Sequence, residues 1–114
     1  MNRLSRLLFC TCTLAGIAAS AGCGGSGGIL WGCDKRTISN GCIDYVGSAF
    51  ASLQSSCTND SGTVVTSCTT TGMVGTCTLA AGTSAEQRQH YYTAGTASTA
   101  QAPCTATGST WSNP

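Results

Sequence analysis

Charge is scarce in this chain: only 8% of its 114 residues are Asp, Glu, Lys or Arg, and there is a single histidine. Nothing here forms the basic stripe that draws proteins onto nucleic acid. Arg3 and Arg6 lie at the extreme N-terminus, so the remainder carries Lys35, Arg36 and Arg88 against Asp34, Asp44, Asp60 and Glu86 and is slightly acidic. Large hydrophobes are also few, which excludes a thick core and limits the chain to one small domain. No apolar run reaches the roughly 20 residues that a membrane-spanning helix needs. The glycines carry no GKS or GKT and no framing strand and helix, so they are not a phosphate cradle. No close C-x2-C pair marks a zinc site.

Cysteine, in contrast, is abundant, with nine in the chain. The first three fall in or beside an export signal. Arg3 and Arg6 form its positive region and Leu7 to Ala19 its uncharged apolar stretch, followed by the small residues Ala19-Ser20-Ala21-Gly22 and then Cys23. Two cleavages compete. Signal peptidase acting on Ala19-x-Ala21 would release a soluble chain beginning at Gly22. A lipobox ending at Cys23 would instead make that cysteine a lipidated N-terminus. Parity favours lipid, because Cys33, Cys42, Cys57, Cys68, Cys77 and Cys104 can all pair with one another, whereas Cys23 would be a seventh thiol in an oxidising space. The expected organisation is a lipoprotein signal peptide at 1–22, a lipidated cysteine and Gly/Ser tether at 23–29, and a cysteine-rich domain at 30–114. Three disulfides, each contributing about 2–4 kcal/mol, would brace that domain.

The downstream chain carries signs of duplication. Eight residues separate Cys33 from Cys42 and Cys68 from Cys77, and a shift of 47 positions aligns Tyr45 with Tyr92, Gln54 with Gln101, Cys57-Thr58 with Cys104-Thr105 and Thr63 with Thr110. This predicts pseudo-repeats 33–67 and 68–114, each with three cysteines, the second enlarged by about twelve residues between Cys77 and Tyr92. Three cysteines cannot all pair within one unit, so at least one bridge must cross. A symmetric expectation is Cys42–Cys57, Cys77–Cys104 and a crossing Cys33–Cys68, although fifteen connectivities are open.

Periodicity predicts a small disulfide-rich α+β fold, with two short helices against a thin antiparallel sheet. The first helix is expected over 46–57, with Ser48 as N-cap, and the second over 96–102, stopped by Pro103. The β-branched segments 63–68 and 73–79 read as a hairpin across Thr69 to Gly72, 87–93 as a returning strand, with a helix over 85–91 as its alternative, and 108–111 as an edge strand.

The order Cys33-x8-Cys42, Tyr45-x-Gly47, Leu53-x3-Cys57-Thr58, Gly62-Thr63, Cys68, Val74-Gly-Thr-Cys-Thr78, Tyr91-Tyr92, Ala100-Gln-x2-Cys104-Thr105 and Gly108-x-Thr110-Trp111 resembles small cysteine-rich lipoproteins of myxobacteria and similar soil bacteria. Val64 stands where the family's first copy often has tryptophan. The resemblance implies an exported protein of the bacterial envelope, anchored by lipid to the outer membrane, and it transfers no catalytic residue and no cofactor.

Candidate chemistry is correspondingly thin. His90 is the one general base available near neutral pH, with Ser84 or Glu86 as imaginable partners, but it reads as a solvated strand residue. Asp34, Asp44, Asp60 and Glu86 read as scattered, so neither a metal site nor a carboxylate pair is expected. Asn59-Asp60-Ser61 has the form of an N-glycosylation acceptor, a modification that a bacterial lipoprotein does not generally receive. Tyr91, Tyr92 and Trp111 are candidates for an aromatic surface that binds glycan or peptide. The expected function is non-catalytic: a structural or interaction module held on a membrane, with a protein or glycan partner. The alternative is a soluble secreted effector or inhibitor presenting the loop 58–67, or a binder using the aromatic surface.

Overall fold

The structure, a computed structural model, describes residues 27–114; the expected signal peptide, the expected lipidation site Cys23 and the first part of the expected tether lie outside the described residues. The described residues form one antiparallel sheet of six strands in the order β3-β1-β2-β5-β4-β6. The strands are β1 (Trp31–Lys35), β2 (Gly41–Tyr45), β3 (Thr63–Val65), β4 (Gly75–Leu79), β5 (Gln87–Tyr91) and β6 (Thr110–Ser112). Three helices accompany them: a single turn α1 (Arg36–Ser39), α2 (Gln54–Asn59) and α3 (Ala94–Ala106). The small disulfide-rich α+β class is as expected, with α1 an addition to the two expected helices.

The duplication is legible in the strand order. Each half is a hairpin, a helix and an edge strand that returns beside the hairpin's first strand: β1-β2-α2-β3, then β4-β5-α3-β6. The halves meet where β2 runs antiparallel to β5, with Ile43 opposite Gln89, so a local dyad passes through the middle of the sheet. Residues directly opposite across a ladder share a face. One such row crosses all six strands, Val64-Cys33-Ile43-Gln89-Cys77-Trp111, and its two cysteines hold the helices. Cys33 bonds Cys57 of α2 and Cys77 bonds Cys104 of α3, with Cα–Cα distances of 5.7 and 6.0 Å. Both helices therefore cover this face.

Equivalent backbone bonds recur at the helix ends. Ser61 N–H donates to Thr58 O and Gly62 N–H to Cys57 O, while Gly108 N–H donates to Thr105 O and Ser109 N–H to Cys104 O. Ser61 and Gly108 both take positive φ, 60° and 79°, the left-handed turn that ends a helix and directs the chain back to the sheet edge.

The third bridge, Cys42–Cys68, has no counterpart in this symmetry. It pins the segment between the halves to the opposite face of the sheet. The connectivity corrects two of the three expected pairs: Cys77–Cys104 forms, but Cys42–Cys57 and Cys33–Cys68 do not. Alternation is the reason, because Cys33 and Cys42 project to opposite faces of the hairpin and only Cys33 faces α2. The repeat is redrawn accordingly. Cys33 corresponds to Cys77 and Tyr45 to Tyr91, Cys68 belongs to the connection, and no twelve-residue insertion is needed.

Several local expectations also change. The stretch 46–57 is not one helix: a 3₁₀ turn at Ser48–Phe50 precedes α2, because Trp31 Nε1–H donates to Phe50 O at 2.8 Å and turns the chain there. Pro103 does not end α3, which runs to Ala106. The disulfide at Cys104 holds the last turn on the sheet, and the helix starts earlier than expected at the N-cap Thr93, whose side chain accepts from Thr96 N–H. β3 and β4 are not a hairpin, since each pairs within its own half. The returning strand at 87–91 and the edge strand at 110–112 form, and the helical alternative over 85–91 does not.

Candidate functional site

The face opposite α2 and α3 carries a buried polar cluster. On β2 and β5, alternation places Cys42 and Asp44 on one side together with Arg88 and His90, and on β4 it adds Thr76. Asp44 and His90 occupy equivalent positions in the two halves and meet diagonally across the dyad. His90 Nε2 lies 2.9 Å from Asp44 Oδ2, and His90 Nδ1 lies 2.8 Å from Thr76 Oγ1. Asp44 Oδ1 accepts the backbone N–H of Cys68 at 2.7 Å, and Thr76 Oγ1 is 3.3 Å from Met73 Sδ. Asp44, Thr76 and His90 are only 3%, 6% and 9% exposed. Among the described residues, every buried side-chain nitrogen and oxygen has a partner.

Both expectations about this chemistry are therefore corrected. His90 is not solvated, and its partners are Asp44 and Thr76, not Ser84 or Glu86. The carboxylates are not all scattered, because the pleat brings Asp44 to His90. The remaining acids serve locally. Asp34 pairs with Arg36, whose guanidinium holds the Asp34 carboxyl below its ordinary range, and Asp60, at the end of α2, lies 3.3 Å from Lys35 Nζ. Glu86 is buried, and its carboxyl is held low first by the Gly82 N–H at 2.7 Å and then by Arg88.

The hydroxyl–imidazole–carboxylate order is that of a nucleophile, base and orienting acid. Its setting differs, for the Thr76 hydroxyl is buried against Met73 and the outer carboxylate oxygen is occupied by Cys68 N–H. The arrangement ties the two halves and their connection together.

The aromatic candidates divide. Tyr91 and Trp111 stack on the helix side with ring centroids 5.6 Å apart, whereas Tyr92 donates its hydroxyl to Thr69 O at 2.6 Å in the connection and lies beneath Arg36. Successive strand residues point to opposite faces, so the three rings do not make one surface. Burial raises the hydroxyl pKa of both Tyr91 and Tyr92. A shallow groove of about 270 Å³ lies over β2 and β5 at Ile43, Gln89 and His90, bordered by Lys35, Ser39 and Tyr91.

Sequence reasoning missed Asp44 and Thr76. The alternation in Gly41-Cys42-Ile43-Asp44-Tyr45 carried a signal for the first: it puts Cys42 and Asp44 on one face. Comparison with protein-family models, with curated proteins and with solved structures gave no match.

Proposed function

We propose that this chain is an exported lipoprotein of a bacterial envelope, anchored to the outer membrane through Cys23, whose cysteine-rich domain is a non-catalytic structural or interaction module for a protein or glycan partner. One observation carries the reading. The three bridges use Cys33, Cys42, Cys57, Cys68, Cys77 and Cys104 among themselves, leaving none of the six to pair with Cys23. Three disulfides also fit an oxidising compartment. The non-catalytic part is supported by the setting of Thr76, whose hydroxyl is buried between His90 and Met73. The shallow groove over Ile43 and Gln89, with Tyr91 at its border, is the surface best suited to a partner. Mass spectrometry of the mature N-terminus tests the anchor: an acylated Cys23 supports it, and an unmodified chain beginning at Gly22 overturns it in favour of a soluble secreted protein.

A further inference from the structure

Of the three bridges, Cys42–Cys68 alone is surrounded by metal-ligating groups. The ligand atoms of Asp44, Cys68 and His90 all lie within 4.8 Å of one another, and Cys42 Sγ is bonded to Cys68 Sγ. We propose that this bridge is a redox-gated metal site: when it is reduced, Cys42, Cys68, His90 and Asp44 bind one Zn²⁺ or a similar borderline-soft divalent cation. The inference is independent of the anchoring proposal.

Four donors of the S₂NO type suit a tetrahedral ion, whose ligands stand about 2.0–2.3 Å from the metal and roughly 3–4 Å from one another. Asp44, Cys68 and His90 already stand near that spacing, and Cys42, joined to Cys68 through sulfur, supplies the fourth donor once the S–S bond opens and its side chain rotates. The surroundings of the ligands also fit. A metal-bound histidine donates its other ring N–H to an oxygen. Here Thr76 Oγ1 already faces His90 Nδ1, and Met73 Sδ stands ready to accept the threonine hydrogen. With a neutral imidazole carrying its proton on Nε2 the roles reverse: Nε2–H donates to Asp44 and Nδ1 accepts from Thr76. Both tautomers are thus satisfied by the same neighbours. Cys68 N–H continues to hold the second Asp44 oxygen, and Arg88, opposite Asp44 on β5, is turned toward Glu86.

The fold also permits the reduced state. Cys33–Cys57 and Cys77–Cys104 fasten each helix to its own half, while the sheet's central ladder requires no sulfur. At 8% exposure Cys68 is the most accessible of the six cysteines. A dithiol reductant attacks its Sγ, and the Cys42 thiolate leaves and takes up a proton. The reductant's second thiolate then resolves the mixed disulfide, freeing Cys68 as the reductant closes its own S–S bond. Two electrons and two protons have passed to the protein. The cation then displaces both thiol protons, so metal binding replaces the covalent clamp on the connection between halves.

The test uses the full chain under argon, reduced with a dithiol and titrated with Co²⁺ as the spectroscopic probe. The expected result is one equivalent bound, with thiolate-to-cobalt charge transfer and intense tetrahedral d–d bands that Zn²⁺ abolishes, and no such bands in the oxidised protein. These bands are absent in C42A/C68A, and H90A and D44N each weaken binding by about 10-fold or more. In the wild-type chain, Zn²⁺ added before alkylation protects Cys42 and Cys68 in the peptide map while leaving Cys33, Cys57, Cys77 and Cys104 unaffected, a readout that does not depend on any variant folding. Absence of thiolate bands, bands that persist in C42A/C68A, protection of other cysteines, or wild-type affinity in H90A would each overturn the proposal.

Discussion

The two halves share a backbone plan but place their tryptophan on opposite strands. In the first, Trp31 on β1 packs against Tyr45 at 4.3 Å, Tyr45 meets Phe50 at 4.8 Å, and the edge strand carries Val64. In the second, the position equivalent to Trp31 is Gly75, and the ring comes from Trp111 on the edge strand β6, over Tyr91. A Cβ at Gly75 would run into the Trp111 ring. Each half thus holds one indole against one tyrosine and differs only in which strand delivers it. Volume is what the plan requires, and the sequence position that supplies it is free to move. The same comparison accounts for Val64: with Trp31 filling the first half, a second indole at the edge has no place to pack.

This contrast can be broken from either side, and the deepest cut is Trp31→Ala. Trp31 is 5% exposed and belongs to the core cluster with Cys33 and Cys57, so its loss should destabilise the oxidised domain by about 3–5 kcal/mol in denaturant titration. A loss below about 1 kcal/mol would mean the aromatic cluster is not the first half's core.

A smaller effect is expected at the mirror position. Gly75→Ala should cost about 1–3 kcal/mol through overpacking. Because the clash is with one named ring, adding Trp111→Val should return part of that loss. Strict additivity of the two substitutions in a double-mutant cycle would remove the proposed exchange of indoles.

The smallest effect concerns the seam between halves. Glu86 O accepts the N–H groups of Val46 and Gly47, and its carboxylate anchors the loop at Gly82. Since the folded-state pKa lies below the ordinary one, this carboxylate's contribution is fully present above the ordinary carboxylate range and is lost as pH falls through the depressed value. Glu86→Gln should therefore cost about 1 kcal/mol near neutral pH and nothing in strong acid, as read from urea midpoints across pH. A pH-independent cost would assign the effect to packing alone.

How much of this was legible from sequence follows from the physics of each signal. The need for staples, the α+β class and the strands at Gln87–Tyr91 and Thr110–Ser112 could be read, because cysteine parity, scarce large hydrophobes and aromatic residues such as Tyr91 and Trp111 are local and compositional signals. The β1–β2 hairpin was passed over: its strands are interrupted by Gly32 and Gly41 and carry Asp34 and Asp44, which hide the apolar alternation. Pairing Cys33 with Cys68 followed the equal eight-residue gaps, a feature of the chain that the pleat ignores. Asp44 and His90 lie 46 positions apart, and only a dyad through the β2–β5 ladder brings them together. That dyad appears once Cys33 is matched to Cys77.

The most direct test of the two-half account is a disulfide map of the oxidised protein by proteolysis under non-reducing conditions. The account predicts Cys33–Cys57, Cys77–Cys104 and the unsymmetrical Cys42–Cys68, with no free thiol among the six. Recovery of Cys33 joined to Cys68, or of Cys42 joined to Cys57, would contradict it.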